Sequence, residues 1–153
     1  MSAFALDDSL IAELGWQQPR SAIQGVPNPL PNAGFSVPMP GTSDTIVQAI
    51  KFRLVTDSQA ANRICVVNYL DADGVAFALI AASFTQAASL TTDYTFAVGI
   101  NEFGANDAAN IGAGLPPFKL DVSHSISVTI VAKQTGDQVS AIRLALQQWH
   151  VRP

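Results

Sequence analysis

From residue 46 to residue 151 the chain alternates apolar and polar positions with a period of two. Ile50, Phe52 and Leu54 are interleaved with Lys51, Arg53 and Val55, the pattern of a half-buried strand. Asn62 to Leu70 predicts a second strand, with Ile64, Val66 and Leu70 on one face and Cys65, Val67 and Tyr69 on the other. Asp71-Ala-Asp-Gly74 supplies the residues a tight turn needs, and Val75 to Ala82 returns. Leu90, Thr92, Tyr94, Phe96 and Val98 predict another strand, followed by a Gly-, Asn- and Ala-rich loop over 99–117. Phe118, Leu120 and Val122 come next, and then Ile126, Val128, Ile130 and Ala132 alternate with Ser and Thr. The turn Gln134–Asp137 is expected to join this strand to the last one as a hairpin. In that last strand Ile142, Leu144 and Leu146 face inward, opposite Arg143 and Gln147.

Residues 1–45 read differently. Six of the nine prolines fall there: Pro19, Pro27, Pro29, Pro31, Pro38 and Pro40. Proline lacks an amide donor and pushes its predecessor out of the helical region, so this stretch is expected to run extended, outside any sheet ladder. Only 8–14 looks helical. Asp7 or Asp8 caps it, Leu10, Ile11 and Leu14 form its apolar stripe, and Gly15 ends it. A helix this short must pack on something, its own domain or a neighbour. The fold class predicted is therefore all-β: an antiparallel, jelly-roll-like β-sandwich over 46–153. It is preceded by an extended proline-rich N-terminal arm, 1–45, carrying one short helix. Removing the arm is expected to leave the sandwich folded.

Composition narrows the function classes. The 153 residues suit one domain, and only 13% are charged, about half the usual share. Eight Lys+Arg against twelve Asp+Glu give a net charge of -4. Basic residues this few and scattered argue against nucleic acid as a partner. Gly74 to Thr92 carries no charge, but Ser, Thr and Gln interrupt it too often for a bilayer core, and no membrane association is expected. The start of the chain lacks the basic, long-apolar pattern of a signal peptide.

The candidate chemistry is thin. Asp71-x-Asp73-Gly74 opens like a calcium loop but lacks the later oxygen ligands, so a hairpin turn is the better reading and no metal site is expected. Asp121-Val-Ser-His124 holds the residue types of a Ser-His-Asp triad, but such close neighbours are not expected to converge, and there is no Gly-x-Ser-x-Gly elbow. The single cysteine, Cys65, reads as a small core residue, and His150 as a rim residue. No pair stands out among the twelve acids for glycoside hydrolysis. Trp16, Tyr94 and Trp149 could line a sugar platform, but core packing for Tyr94 and anchoring of the chain ends by the two tryptophans is favoured. No catalytic residue and no cofactor is expected, and the chain is not expected to be an enzyme.

Four segments carry a resemblance. They are Ala61-Asn-Arg63, Asp71-Ala-Asp-Gly74, Gln86-Ala-Ala-Ser-Leu-Thr-Thr-Asp-Tyr-Thr-Phe96 and Thr135-Gly-Asp-Gln-Val-Ser-Ala-Ile-Arg-Leu144 running on to Trp149. In this order, over about 46–150, they resemble small β-sandwich minor virion proteins of tailed bacteriophages, of the capsid decoration (cement) type. The resemblance implies assembly: a homotrimer on the outer surface of the phage head, made in the host cytoplasm, with the major capsid protein as partner. It brings no catalytic residues. The charge deficit independently points to a surface that is partly interface. The expected anchors in the arm are Ile23, Val26, Leu30, Phe35 and Val37, joined by Trp16, Arg143 and Trp149. The bland alternative is that the arm residues cover the edge of their own sandwich. The rival class is a head-fibre or tail module binding host-surface carbohydrate.

Overall fold

The computed structural model describes residues 19–41 and 43–150, with the side chain of His150 left aside. Ten strands are present among them: β1 Arg20–Gly25, β2 Phe35–Pro38, β3 Ser43–Val55, β4 Ile64–Leu70, β5 Ala76–Ala81, β6 Thr91–Val98, β7 Asn110–Leu115, β8 Lys119–Leu120, β9 Ser125–Val131 and β10 Gln138–His150. They form two sheets. One runs β1-β10-β3-β6-β7 with β8 also on β3, and the other runs β2-β9-β4-β5.

This is an all-β sandwich, and its strand order gives it a particular form. The antiparallel pairs β1–β10, β2–β9, β3–β6 and β4–β5 nest one inside another, and β10–β3 and β9–β4 close the wrap. A nested ribbon rolled into two four-stranded layers is the jelly roll. β7, parallel to β6, and the two-residue β8 are additions in the connection from β6 to β9.

The alternation seen in the sequence becomes the core. Ile50, Phe52 and Leu54 of β3, Tyr94 and Phe96 of β6, and Ile142, Leu144 and Leu146 of β10 face Cys65, Val67 and Tyr69 of β4 and Ile126, Val128 and Ile130 of β9. Phe52 stacks on Tyr94 at 5.2 Å, and Phe35 of β2 meets Phe52 edge-on at 5.7 Å across the sandwich.

The fold departs from the expected one in four places. First, the segment expected as an arm contributes β1 and β2, which close one edge of each sheet, and the sandwich takes in β3 from Ser43. The prolines explain both the expectation and the outcome. Pro27, Pro29 and Pro31 fill the connection, and Pro38 is the last residue of an edge strand, where a missing donor is tolerated. Second, β9 and β10 are not a hairpin. They lie in different sheets, so Gln134–Asp137 turns a corner between layers.

Third, the 99–117 loop contains β7. Gly112 and Gly114 hide its alternation of Ile111, Ala113 and Leu115, and they let the preceding chain lie directly on the strand. A Cβ on Gly112 would run into the Phe103 ring, and one on Gly114 would sit 2.8 Å from the Ile100 carbonyl. Fourth, the expected Phe118–Val122 strand shrinks to β8, with Val122 exposed. The helix expected at 8–14 lies outside the described residues.

Candidate interaction surfaces

The most specific sequence segments meet in space, and they form a clamp. At the corner between β9 and β10, Asp137 is buried and faces the fully buried Arg63. Arg63 Nε donates to Asp137 Oδ2 at 2.9 Å, and Nη2 donates to Asp137 Oδ1 at 2.8 Å and Asp57 Oδ1 at 2.7 Å. Its Nη1 donates to the carbonyls of Gln59 and Ala61. All five guanidinium donors are used. Asp137 also accepts the amides of Asp57 and Gln134, so both partners are saturated.

Burial pushes the Asp137 carboxyl up, but the hydrogen bonds from Arg63 and the two amides outweigh it and hold it below its ordinary range. The clamp joins the β3–β4 and β9–β10 corners. Gln86 adds the β5–β6 connection through its backbone bonds to Arg63. The proline-rich stretch is tied in by Asn32, whose amide donates to the Asp137 carbonyl at 2.7 Å, and by Gln138 Nε2, which donates to the Pro29 carbonyl. The motif in 136–144 therefore serves the architecture.

The small polar clusters are also spoken for. Asp71 Oδ1 accepts the amides of Asp73 at 3.0 Å and Val75 at 2.9 Å, as a hairpin turn requires, and Gly74 takes φ 76°. Asp121, Ser123 and His124 do converge, against expectation, because they wind one tight turn before β9. Ser123 Oγ donates to Asp121 Oδ1, and His124 Nδ1 lies 2.7 Å from the same oxygen. The Ser123 hydroxyl, then His124 and the Ser123 amide, hold the Asp121 carboxyl down at about 2. In a triad the serine faces the imidazole nitrogen that the acid does not. Here the Ser123 hydroxyl approaches Nδ1, the nitrogen already on Asp121, at 3.4 Å. Burial pushes the Cys65 thiol up, away from nucleophilic character.

The expected partner residues divide. Ile23 is 73% exposed, Leu30 is exposed, and Arg143 faces solvent from β10. Val26 is half-buried against the core. Phe35 and Val37, at 8% and 2% exposure, are core residues of β2, so no surface contact is available to them. Here the bland alternative holds. Trp149 is half-buried beneath Lys119, whose Nζ lies 5.7 Å from the ring centroid. Trp16 lies outside the described residues. No aromatic platform forms from Tyr94 and Trp149, since Tyr94 is fully buried against Phe52 and Phe96.

Two sheet faces remain, and they contrast. The outer face of β2-β9-β4-β5 presents Ser36 and Pro38, Ser127, Thr129 and Val131, Ile64 and Val66, and Leu79 and Ala81. Leu79 is 67% exposed. Asn68 bonds across to Ser127 and Thr129 at 3.3 and 3.2 Å. No charged side chain stands on these strands. The outer face of the larger sheet instead gathers Lys51, Arg53, Asp93 and Arg143 around a cleft of about 290 Å³. Sequence reasoning singled out Arg143 alone, because only strand register brings Lys51 of β3 opposite it.

Fold and surfaces together define a jelly-roll domain with one uncharged and one charged sheet face. No protein-family model matches the chain, and no curated protein matches it. It is similar to a solved structure of infectious bursal disease virus, Gt strain, at 12% identity and TM-score 0.40, covering 86% of this chain and 33% of that one. It is also similar to a structure of the Gx strain at 13% identity and TM-score 0.33, covering 86% and 31%. The chain thus spans about a third of the length of either. At these scores the likeness bears on neither family nor function.

Proposed function

We propose that the protein is a virion structural protein of a tailed bacteriophage, a decoration (cement) protein that binds the assembled head shell and stabilises it. In this reading it is made in the host cytoplasm, attaches to the outer surface of the head as a homotrimer, takes the major capsid protein as partner, and performs no catalysis. The observation that carries the reading is the uncharged outer face of β2-β9-β4-β5, with Leu79 and Val131 exposed on it. A face of Ser, Thr and aliphatic side chains has no charge to desolvate or to leave unpaired. The saturated clamp supports the reading too, since the connections it ties together have less freedom left to lose on binding.

The test is co-pelleting with empty heads of the phage that carries the gene. The protein should pellet with heads, and Leu79→Asp, which puts a charge on the exposed β5 side of the face, should pellet at least about tenfold less. Equal pelleting of wild type and Leu79→Asp would remove this face from the contact, and no pelleting of wild type would overturn the reading.

A further inference from the structure

The charged face of the larger sheet is built around a β-bulge. The register of β10 on β3 jumps from Ser140↔Arg53 to Arg143↔Lys51, so Ala141 and Ile142 both stand opposite Phe52. Ala141 takes φ 53°, a left-handed conformation that a non-glycine residue adopts only when its surroundings impose it. The bulge keeps Ile142 in the core and opens the ladder outside it. Into that opening face three of the chain's eight basic residues, Lys51, Arg53 and Arg143. Arg53 is held in place by Asp93, through Nε at 2.8 Å and Nη2 at 3.1 Å. Among the described residues no carboxylate pairs with Lys51 or Arg143. Arg143 is accommodated by Gly25 of β1, where a Cβ would lie 3.4 Å from its Nη1.

Three cations and one acid leave the cleft net positive on a chain of net charge -4. Its 290 Å³ falls just short of the range for drug-sized ligands and suits one or two side chains. A two-fold contact through this face would set like charges against each other. A head-to-tail contact would set the cleft against an acidic part of the next copy, and such a contact repeats into a ring when the rotation between copies closes. The sequence contains a fitting acidic part. Residues 1–18 hold Asp7, Asp8 and Glu13 and no Lys or Arg. They join β1 at Arg20, opposite Gln148, five residues from the Gly25↔Arg143 pair. That is about 17 Å along the strand from the cleft.

We propose that the cleft of Lys51, Arg53 and Arg143 is a carboxylate-binding site, and that its occupant is the acidic 7–13 segment of a second copy of the chain. This rests on the oligomeric part of the function proposed above. Sedimentation velocity of the full chain tests it in four forms: wild type, Lys51→Glu with Arg143→Glu, Asp7→Lys with Asp8→Lys and Glu13→Lys, and the two sets combined. Each set alone should weaken self-association at least about tenfold in 50 mM salt, and the combination should restore most of it. An associated wild type indifferent to both sets overturns this inference alone. A wild type that stays monomeric overturns the oligomeric reading as well. A monomer whose melting temperature falls with each set and recovers with both shows the segment on its own cleft, which also overturns the contact between copies.

Discussion

Leu144 and Arg143 are neighbours on β10 with opposite fates, one fully buried and one facing solvent. Leu144→Ala should cost about 2–5 kcal/mol, the range for emptying a buried leucine site. Arg143→Ala should leave the unfolding midpoint almost unchanged, and equilibrium denaturation of the two variants checks both. Reversed outcomes would mean a register slipped by one residue. At Asp137 the cost has a different origin. Its partner Arg63 is fully buried, so a variant such as Asp137→Ala leaves that cation with Asp57 as its one carboxylate and its Nε without an acceptor, a loss of about 3 kcal/mol, the lower end of the range for breaking a buried pair. A carboxyl held below its unfolded value, about 3.9, contributes stability above that pH and loses it as pH falls through the folded value. The wild-type melting temperature should therefore drop steeply below about pH 4. Asp137→Asn should melt lower at pH 7 and lose part of that acid slope. Superimposable melting curves at pH 7 would show the clamp to be neutral.

Among the elements, strands with a clean period of two were legible: β3, β6 and β10 lie where Ile50–Leu54, Thr92–Val98 and Ile142–Leu146 alternate. Their inward faces match as well. Partnership was not legible. Gln134–Asp137 carries turn residues that serve a hairpin or a corner equally, and only the meeting of Asp137 with Arg63, 74 positions apart, decides for the corner. The surface cleft was hidden for the same reason, since Lys51 and Arg143 become neighbours only through pairing. The prolines masked β1 and β2 because local rules describe what proline forbids inside a sheet, whereas both strands sit at edges. This changes the truncation prediction. A chain lacking residues 1–18 should keep a cooperative thermal transition by circular dichroism. One lacking 1–41 loses Phe35, Val37 and Met39 from the core and uncovers β9 and β10, and should lose it. A cooperative melt of the shorter chain would favour the expectation from sequence that the proline-rich segment, 1–45, is a dispensable arm.

At the scale of the whole molecule, the polar clusters are spent on architecture, in the Arg63 clamp, the Asp71 hairpin and the Asp121 turn. What faces outward is one sheet without charge and one with a basic cleft. That distribution suits a component whose work is contact, as the proposed cement binding requires. Mass photometry of empty heads titrated with the purified protein tests this most directly. The account predicts that head mass rises and saturates, with the added mass a multiple of three 16.1 kDa chains. Heads whose mass stays constant at saturating protein would contradict it.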